Sequence, residues 1–336
     1  MARKRIGVLY EYWWDDDEER VEGGRPRRQP PEPDVREVYE ALKKNGHAPI
    51  YLRVDGTRQS LGELARSRTD LIFNLVEAFG GDDTQERHLA GFLEMLKRPF
   101  TGAGSDGLHL AQDKALAKKI FAFHGIHTPY FATVYRGRSL GAMDVQFPVI
   151  VKPAREDGSI GIHFGAVCHS IKDLMERIDF IHAQFDSPAL IEEYIEGREL
   201  YVGVLGNDNP EALPVVEIDL SKVPEGMPKI AGTEVKWDTD SEIYHATPSF
   251  LPDDLDEALL TRLQDTAVKA YRVCQARDYG RVDLRLTPEG TIHVLEINPN
   301  PYLLSTAEFA MAAKESGRGY VELIGEIAEL ALKRYE

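Results

Sequence analysis

The sequence has few cysteines and no long apolar run, and each absence excludes a class of protein. Its only two cysteines, Cys168 and Cys274, cannot form a disulfide framework or a cysteine zinc site, which predicts buried free thiols in a reducing compartment. No stretch approaches the ~18 uninterrupted apolar residues that a membrane span requires, so none is expected. The apolar run near Met1 is too short for a signal peptide. The cytoplasm is therefore the expected location.

The sequence also lacks an excess of basic residues. Its 56 acidic residues outnumber its 40 lysines and arginines, and the formal net charge is -16. General nucleic-acid binders usually have the opposite balance, so this class is disfavoured. A local group of lysines and arginines can still bind an anionic substrate inside an acidic protein. With 336 residues, of which 43% are hydrophobic, the chain is long enough for two or three globular domains.

The first part of the chain, residues 1–101, predicts a small parallel sheet. Strand patterns occur at Arg5–Tyr10, Ala48–Val54 and Asp70–Leu75. Asp34 looks like the N-cap of a helix that ends near Asn45, with Gly46 just beyond it. Strands that alternate with helices are typical of parallel sheets. Residues 11–34 carry an acidic run and several prolines, and they predict a solvated loop in preference to a metal site.

The rest of the chain predicts two further domains, at 102–190 and 191–336. In the middle domain we expect a helix at Gly107–His124, a hairpin over FPVIVKPAREDGSIGIHFGAV, a helix at Ile171–Phe185 and a strand at Ala189–Ile195. In the last domain we expect strands at Leu200–Leu205 and Leu213–Ile218, a helix at Leu255–Arg277, a hairpin over GRVDLRLTPEGTIHVLEIN and a final helix from Tyr320. This mixture indicates an α/β (α+β) fold.

The predicted hairpin near the C-terminus carries several polar side chains. Successive side chains of a strand point to opposite faces, so Arg281 and Asp283 share a face. On the returning strand the same alternation groups Ile292, Val294, Glu296 and Asn298. The turn TPEG can pair Leu286 with Thr291. That register sets Arg281 opposite Glu296, with Asp283 on the diagonal, and such neighbours are close enough to meet.

Asp283, Glu296 and Asn298 can therefore converge on one point beside Arg281. Carboxylate and amide oxygens are hard ligands that suit magnesium, which keeps few protein ligands and takes the others from water and phosphate. The sequence NPNP after the strand ends it, so the site would lie at an open mouth. The alternative is a surface strand pair with an Arg281–Glu296 salt bridge, and the spacing alone leaves both interpretations open.

Two weaker patterns point to a nucleotide. Lys152 interrupts an apolar strand, where a lysine either reaches solvent or meets a buried anion. The following REDGSIG contains Gly158, Ser159 and Gly161, whose small side chains let backbone N–H groups approach a phosphate, although a plain tight turn explains them too. The strand LIEEYI offers apolar walls for an adenine ring, and Glu199 could accept from ribose hydroxyls. An edge strand with exposed glutamates is the alternative there.

One further motif points elsewhere. GAGSDG, at Gly102–Gly107, matches the dinucleotide fingerprint G-x-G-x-x-G. The residues before it make a poor strand, and about 20 residues further on there is no acidic strand end to hold a ribose. A dehydrogenase is therefore disfavoured. The histidines form no H-E-x-x-H motif, and no serine lies in a G-x-S-x-G elbow.

Taken together, the motifs resemble the ATP-grasp superfamily and, within it, the D-alanine–D-alanine ligase family. The matching segments, in the family's order from about Leu71 onward, are GGDDTQ, FTGAGSDGLHLAQDKALAKKIFAFHGIHTP, LIEEYIEGRE, GRVDLRL and EINPNP. The resemblance implies an ATP-grasp fold, in which two α+β domains clamp ATP, behind an N-terminal Rossmann-like domain. It also implies an ADP-forming ligase that joins a carboxylate to an amine, and a homodimer.

The resemblance also implies roles for particular residues. The phosphates of ATP would be contacted by Lys114, Lys152 and Lys236, together with Gly158 and Ser159 of the loop. The adenine site would be formed by Glu192, Tyr194 and Ile195, and the ribose would be held by Glu199. The metal ligands would be Asp283, Glu296 and Asn298, with Arg281 as the transition-state arginine. The implied cofactors are ATP and Mg²⁺, with two ions expected and Mn²⁺ as an alternative.

Several residues depart from the family's pattern. Gly158 stands where the phosphate loop has a serine, and Trp237 where that serine has a tyrosine partner. Tyr302 replaces a glycine near the oxyanion, and Ala307 replaces a serine that holds the substrate carboxylate. The N-terminal glycine-rich turn with its substrate glutamate is replaced by YEYWWDDDEE. The nucleotide half is retained and the amino-acid half is altered, which predicts substrates other than two D-alanines.

Three alternatives remain open at this stage. They are a strict D-alanine–D-alanine ligase, an ATP-grasp kinase that stops at phosphoryl transfer, and a non-catalytic nucleotide-binding module. The complete set of Asp283, Glu296 and Asn298 argues against the last of these. The sequence does not identify the acid, the amine or their chirality.

Overall fold

A computed structural model describes residues 3–12, 31–138, 145–156, 158–185, 187–236 and 242–336. The chain forms two compact units, Met1–Ser105 with Tyr302–Glu336, and Asp106–Pro301. The division into three domains at 1–101, 102–190 and 191–336 stays a prediction. Most of the acidic loop expected at 11–34 lies outside the described residues, as does Trp237. Among the helices in the described ranges, none is long and apolar enough to cross a membrane.

The described residues contain both strands and helices. Strands β1 to β12 span Arg5–Glu11, Ala48–Val54, Leu71–Asn74, Phe131–Val134, Val149–Pro153, Val167–Cys168, Ala189–Glu193, Arg198–Leu205, Glu211–Ile218, Ser249–Phe250, Tyr279–Leu286 and Ile292–Asn298. Helices α1 to α11 span Pro33–Lys44, Arg58–Arg66, Glu86–Met95, Ser105–Gln112, Lys114–Phe123, Ile171–Gln184, Thr233–Lys236, Glu242–Ala246, Glu257–Val273, Glu308–Glu315 and Tyr320–Arg334.

The first unit is built on a three-stranded sheet in the order β2-β1-β3. Both pairs are parallel, which confirms the predicted sheet. The apolar stripe of α11 is buried, at Leu323, Ile324, Ile327, Ala328 and Ala331. The predicted N-cap at Asp34 was wrong, because α1 begins at Pro33 and no side chain caps it. Proline is favoured in the first turn of a helix, where its missing N–H would have no helical partner.

The second unit contains two antiparallel sheets, ordered β10-β9-β8-β11-β12 and β4-β7-β5-β6. The larger sheet packs one face against α5 and α9, through buried residues that include Val202, Leu263 and Val282. The smaller sheet packs against α6 through Val151 and Ile178. Burial of these apolar faces provides the main stabilisation of the unit, and it leaves the opposite faces for polar side chains.

The two cysteines lie in separate cores and are unpaired, as predicted. Cys274 packs in the core of the larger sheet and Cys168 in the core of the smaller one. Burial raises the pKa of Cys168 to about 11 and that of Cys274 to about 12. Both thiols therefore stay protonated near neutral pH, where the protonated form is the unreactive one.

The single helix predicted over Gly107–His124 was wrong. Two helices, α4 and α5, lie on either side of Asp113, whose carboxylate accepts a hydrogen bond from the backbone N–H of Leu116 at 2.9 Å. Such an N-cap satisfies one of the backbone groups that a helix start leaves without a partner. The N–H of Lys114 donates to the Ala154 carbonyl at 3.0 Å, which ties the start of α5 to the end of β5.

The predicted hairpin partner of β5 is shorter than expected. Only Val167–Cys168 pairs with β5, and the residues before it form turns and a short 3-10 helix at Phe164–Ala166. Gly158, Ser159 and Gly161 have φ angles of 58°, 63° and 72°. A strand requires negative φ, so the ladder cannot extend through these residues. The strand over SIGIHFGAV was therefore a wrong prediction except at its end.

The register of the β11–β12 hairpin also differs from the prediction. The observed pairs include Leu286 with Ile292 and Arg281 with Asn298, in place of the predicted Leu286 with Thr291 and Arg281 with Glu296. Asp283 pairs directly with Glu296. A shift of one residue is already present at the turn, where Leu286 pairs with Ile292. A β-bulge at Leu295 adds a second shift, because it sets two residues of β12 against one residue of β11.

The bulge reverses the faces of β12 partway along the strand. Ile292, Val294 and Ile297 all lie in the core of the larger sheet. Glu296 and Asn298 lie on the opposite face, because cross-strand partners share a face and their partners on β11 are polar. The predicted single face for Ile292, Val294, Glu296 and Asn298 was wrong, since strict alternation does not hold across a bulge.

Candidate active site

The polar face of β11 carries a buried ion pair. Arg281 donates from Nε to Asp283 Oδ1 at 2.7 Å and from Nη2 to Asp283 Oδ2 at 2.9 Å. A bidentate pair of this kind fixes the plane of both groups. Burial raises the pKa of the Asp283 carboxyl, against the opposing effect of the Arg281 guanidinium. Any additional positive charge nearby would therefore stabilise the ionised form of this carboxylate.

Glu296 faces this pair from β12 and is surrounded by lysines. Its Oε2 lies 3.0 Å from the Nζ of Lys114, the first residue of α5. Burial acts to raise the pKa of Glu296, but three ammonium groups outweigh it and hold the pKa below its usual range. They belong to Lys114, Lys152 and Lys236. The helix break at Asp113 is what places Lys114 at this point.

Asn298 completes the set of oxygen donors on this face. It pairs with Arg281 across the ladder, and its Nδ2 is buried without a hydrogen-bond partner in the part of the chain that is described. The ends of an amide side chain can exchange places by rotation, so the oxygen can face the carboxylates. Within the described ranges no three His, Cys, Asp or Glu side chains form a metal cluster. Two carboxylates with one amide oxygen nevertheless suit a hard divalent cation.

A second charged cluster links α5 to the smaller sheet. Glu192 on β7 is buried between two lysines, with Lys152 Nζ at 2.9 Å from its Oε2 and Lys118 Nζ at 3.2 Å from its Oε1. Lys118 also donates to Thr128 Oγ1 at 2.8 Å, and Thr128 donates to the Val294 carbonyl at 2.9 Å. Two lysines against one glutamate leave a surplus of positive charge next to the polar face.

Glu199, the predicted ribose ligand, lies on β8 within a third polar group. Its Oε2 accepts from Arg285 Nη2 at 2.7 Å and its Oε1 accepts from the Tyr201 hydroxyl at 3.0 Å. The Tyr201 ring lies under the Arg281 guanidinium at 4.8 Å and near Lys236 Nζ at 5.5 Å. These cation–π contacts connect Glu199 to the pair at Asp283.

Of the residues predicted to line adenine, Glu192 lies in β7, and Tyr194 and Ile195 follow the end of that strand. Tyr194 accepts a hydrogen bond from the backbone N–H of Lys229 at 3.0 Å, and its own N–H donates to the Pro148 carbonyl at 3.2 Å. Burial raises the pKa of the Tyr194 hydroxyl. Ile195 is buried beside it. This segment is therefore held by backbone contacts on two sides and offers an apolar wall.

The predicted phosphate loop contacts the segment that carries Lys236. The Ser159 hydroxyl donates to the Ala231 carbonyl at 3.0 Å. Thr233 donates from its N–H to Ile162 O at 2.7 Å and from its hydroxyl to Ser159 O at 3.2 Å. Gly158 precedes this contact in a left-handed conformation. The loop at residues 159–162 and the segment at residues 231–233 are thus joined to one another by hydrogen bonds.

Comparison with known proteins identifies the family. Residues 121–329 match the family model described as D-ala D-ala ligase C-terminus. The chain belongs to the D-alanine–D-alanine ligase family. A D-alanine–D-alanine ligase of Bordetella petrii is 33% identical over 88% of this chain and 86% of its own. One of Cupriavidus metallidurans is 31% identical over 81% and 79%. An uncharacterized protein of Sinorhizobium fredii, y4sG, is 34% identical over 93% of both chains.

Solved structures of the D-alanine–D-alanine ligase family share the fold. The Bacillus anthracis enzyme covers 99% of this chain with a TM-score of 0.75 and 19% identity, and its complex with ATP gives a TM-score of 0.73. The predicted α/β ATP-grasp fold is thereby confirmed. Membership of this ligase family makes the chain an ADP-forming enzyme that forms C–N bonds with ATP and a divalent metal.

Three residues of the candidate site were missed by the sequence analysis. They are Lys118, Tyr201 and Arg285. Lys118 follows Lys114 by one helical turn, and this spacing places both lysines on one face of α5. Arg285 lies on the same strand face as Asp283. Tyr201 had no sequence signal, because only the pairing of β8 with β11 sets it opposite Asp283.

Proposed function

We propose that this enzyme joins a carboxylate substrate to an amine substrate through an acyl phosphate, and that its substrates differ from two molecules of D-alanine. The group of lysines around Glu296 carries the proposal, since Lys114 lies at 3.0 Å and Lys152 and Lys236 add their charge. A positive cluster in a protein of net charge -16 suits a polyphosphate with its metal.

The proposed reaction has two steps. An oxygen of the substrate carboxylate attacks the γ-phosphorus of ATP, the bond to the β-phosphate oxygen breaks, and ADP leaves. The amine nitrogen then attacks the acyl carbon, and the C–O bond to the phosphate breaks with release of inorganic phosphate. The proton lost by the amine passes to the phosphate or to water. The products are an amide, ADP and phosphate.

Each charged side chain has a proposed part in this reaction. Lys114, Lys152 and Lys236 bind phosphate oxygens and hold the γ-phosphorus in line, because positioning and charge neutralisation provide most of the catalysis of phosphoryl transfer. Arg281 stabilises the oxyanion that forms at the acyl carbon, a contribution of ~3 kcal/mol if it acts like one oxyanion-hole donor. The loop at Gly158 and Ser159 excludes water from the acyl phosphate.

The metal and nucleoside contacts follow the same proposal. Asp283, Glu296 and Asn298 would hold Mg²⁺, with two ions proposed and Mn²⁺ as an alternative. A cation bound there would neutralise charge on the transferring phosphoryl group. The adenine would lie against Glu192, Tyr194 and Ile195. Glu199 would accept from ribose hydroxyls, which its contacts with Arg285 and Tyr201 permit because each carboxylate oxygen has two lone pairs.

The proposal of altered substrates rests on the departures in the amino-acid half. Ala307 stands where the family resemblance places a serine for the substrate carboxylate, and it is the N-cap residue of α10, where it makes no side-chain cap. A methyl group cannot donate the hydrogen bond that a hydroxyl would supply. Tyr302 replaces a glycine and brings a bulky ring. A homodimer and a cytoplasmic location stay proposals by family analogy.

The proposal is tested by a screen for ADP release. The purified protein with Mg-ATP is given pairs of D- and L-amino acids and small carboxylates, and products are identified by mass spectrometry. We expect ADP, phosphate and an amide from at least one pair other than two D-alanines. ADP release with D-alanine alone would establish the alternative that the relatives named D-alanine–D-alanine ligase favour. A phosphorylated product stable to hydroxylamine would indicate a kinase, and no ADP with any pair would contradict a ligase.

A further inference from the structure

We propose that Lys118 is a positioning residue of the nucleotide site, which neutralises Glu192 and thereby leaves the charge of Lys152 for the phosphates of ATP. This inference rests on the proposed ATP-dependent function. It assigns a role to a lysine that cannot reach the nucleotide itself, because its side chain is 0% exposed. Lys118 therefore acts through its partners.

The geometry around Glu192 gives each carboxylate oxygen its own ammonium group. Lys152 lies 2.9 Å from Oε2 and Lys118 lies 3.2 Å from Oε1. Both lysines and the glutamate are buried, so their charges are only weakly screened by water. Two positive charges and one negative charge leave one positive charge in the cluster. Without Lys118, the remaining Lys152–Glu192 pair would be neutral.

The position of Lys118 is fixed by a neutral partner as well. Its ammonium donates to Thr128 Oγ1 at 2.8 Å, and the Thr128 hydroxyl in turn donates to the Val294 carbonyl at 2.9 Å. Val294 is the residue before the bulge at Leu295 that turns Glu296 to the polar face. Lys118 thus contacts β7 directly through Glu192 and is linked to β12 through Thr128.

A purely structural role does not explain two lysines on one glutamate. One lysine suffices to pair a buried carboxylate, and burying a second ammonium group has its own desolvation cost. Burial lowers the pKa of Lys118 to about 8, although Glu192 acts to raise it, so the group is still charged at neutral pH. A surplus positive charge is stabilised once an anion arrives next to Lys152. The phosphates of ATP have the required charge.

The test compares Mg-ATP affinity among variants by isothermal titration calorimetry. Lys118→Met removes the charge and keeps a long apolar side chain, and Lys118→Gln also keeps a donor for Thr128. We expect the Kd for Mg-ATP to rise at least about tenfold in both, the equivalent of ~1.4 kcal/mol. Lys119→Met is the matched control, because Lys119 is the exposed neighbour on α5, and we expect its Kd to equal that of the wild type.

A double variant separates charge balance from simple loss of a contact. Lys118→Met combined with Glu192→Gln removes one charge of each sign and again leaves one positive charge on Lys152. We expect it to bind Mg-ATP more tightly than Lys118→Met alone but less tightly than the wild type, because Glu192 also belongs to the proposed adenine site. A structural role predicts the opposite, since the second substitution would add to the damage.

The outcomes are distinct. A Kd within twofold of the wild type in folded Lys118→Gln, or a double variant no tighter than Lys118→Met, overturns the role of Lys118 while the proposed function stands. Thermal unfolding of each variant shows whether it is folded, and a lower Tm with unchanged Kd counts as the structural outcome. Failure of the wild type to bind Mg-ATP would overturn both proposals.

Discussion

At the scale of single residues, the site depends on carboxylates that lysines hold in the charged form. Glu296 is the clearest case, because burial would favour its neutral form and the neighbouring ammonium groups prevent it. A carboxylate kept ionised among cations is a ready ligand for a metal ion. The metal ion has charge of the same sign as the lysines, so its binding is favoured only when phosphate is also present. Binding of metal and nucleotide is therefore expected to be mutually dependent.

Glu296→Gln tests this residue. The substitution keeps the shape and removes the charge, so we expect ADP release to fall by ~100-fold or more, the scale of losing one preorganised electrostatic contact. Glu289→Gln, in the exposed turn of the same hairpin, is the control and should be fully active. Rates are measured with the best substrate pair from the screen, and circular dichroism checks the fold. Normal activity of Glu296→Gln would remove this residue from the mechanism.

The buried charge of Lys118 predicts a pH dependence of stability. Burial lowers its pKa to about 8 from the ordinary value of 10.5. Between these two values the unfolded chain holds a proton that the folded chain has lost, so the free energy of unfolding contributed by this group rises with pH. In urea denaturation at pH 7 and pH 9.5, the wild type should gain stability relative to Lys118→Met at the higher pH. An unchanged difference would contradict the lowered pKa of Lys118.

At the scale of elements, the break between α4 and α5 sets the position of Lys114. Asp113→Ala removes the cap that accepts from Leu116, and we expect a loss of about 1 kcal/mol in the free energy of unfolding. Asp113→Asn retains an acceptor and is the control, with a loss of only a few tenths. Urea denaturation measures both. Equal stabilities for the two variants would show that the side chain does not cap α5.

The bulge in β12 is the second element-scale feature with a testable role. Deleting Leu295 would regularise the ladder and still leave Val294 and Ile297 on the core face, so we expect a folded protein. Glu296 would also stay opposite Asp283, because in the regular strand it lies between Val294 and Ile297 and points to the other face. We therefore expect the Kd for Mg-ATP to change by less than about threefold. A larger loss of affinity in a folded deletion variant would show that the bulge shapes the site beyond setting the face of Glu296.

The element scale also separates what periodicity predicts from what it does not. The parallel strands β1 to β3 and the hairpin of β11 and β12 follow from apolar alternation and turn residues. The bulge at Leu295 does not follow from these patterns. An extra residue in a strand leaves no mark in the sequence when the residues on each side of it keep their own apolar or polar alternation. The helix break at Asp113 was missed because the helical spacing of apolar residues continues from α4 into α5.

At the scale of the whole molecule, positive charge is concentrated in a protein that is acidic overall. The net charge is -16, yet the second unit gathers Lys114, Lys118 and Lys152 within one charged region. This local positive charge attracts an anionic ligand, whereas the acidic remainder of the protein repels nucleic acid. The stability of the folded protein should therefore depend on the ligand.

Mg-ATP is expected to stabilise the wild type against heat. A ligand at 100 times its Kd adds ~2.7 kcal/mol to the free energy of unfolding, which shifts Tm by a few degrees. Differential scanning calorimetry with and without Mg-ATP measures the shift, and Glu296→Gln should give a smaller one. Hydrogen exchange should locate the added protection in Asp106–Pro301. A wild-type Tm that does not respond to Mg-ATP would contradict nucleotide binding.

By itself, the sequence determined the chemistry of this protein and its fold class. The roles of the lysines, the glutamates and the final Asp–Glu–Asn set came from the resemblance to a ligase family, and the family model supports that resemblance. Strand alternation alone grouped Glu296 with Val294, which lies on the opposite face. Only the tertiary structure decided which charges meet. The pairing of Lys118 with Glu192, and of Tyr201 with Glu199 and Arg281, joins residues on different elements. Such contacts depend on register and on the packing of helix against sheet, which no local pattern encodes.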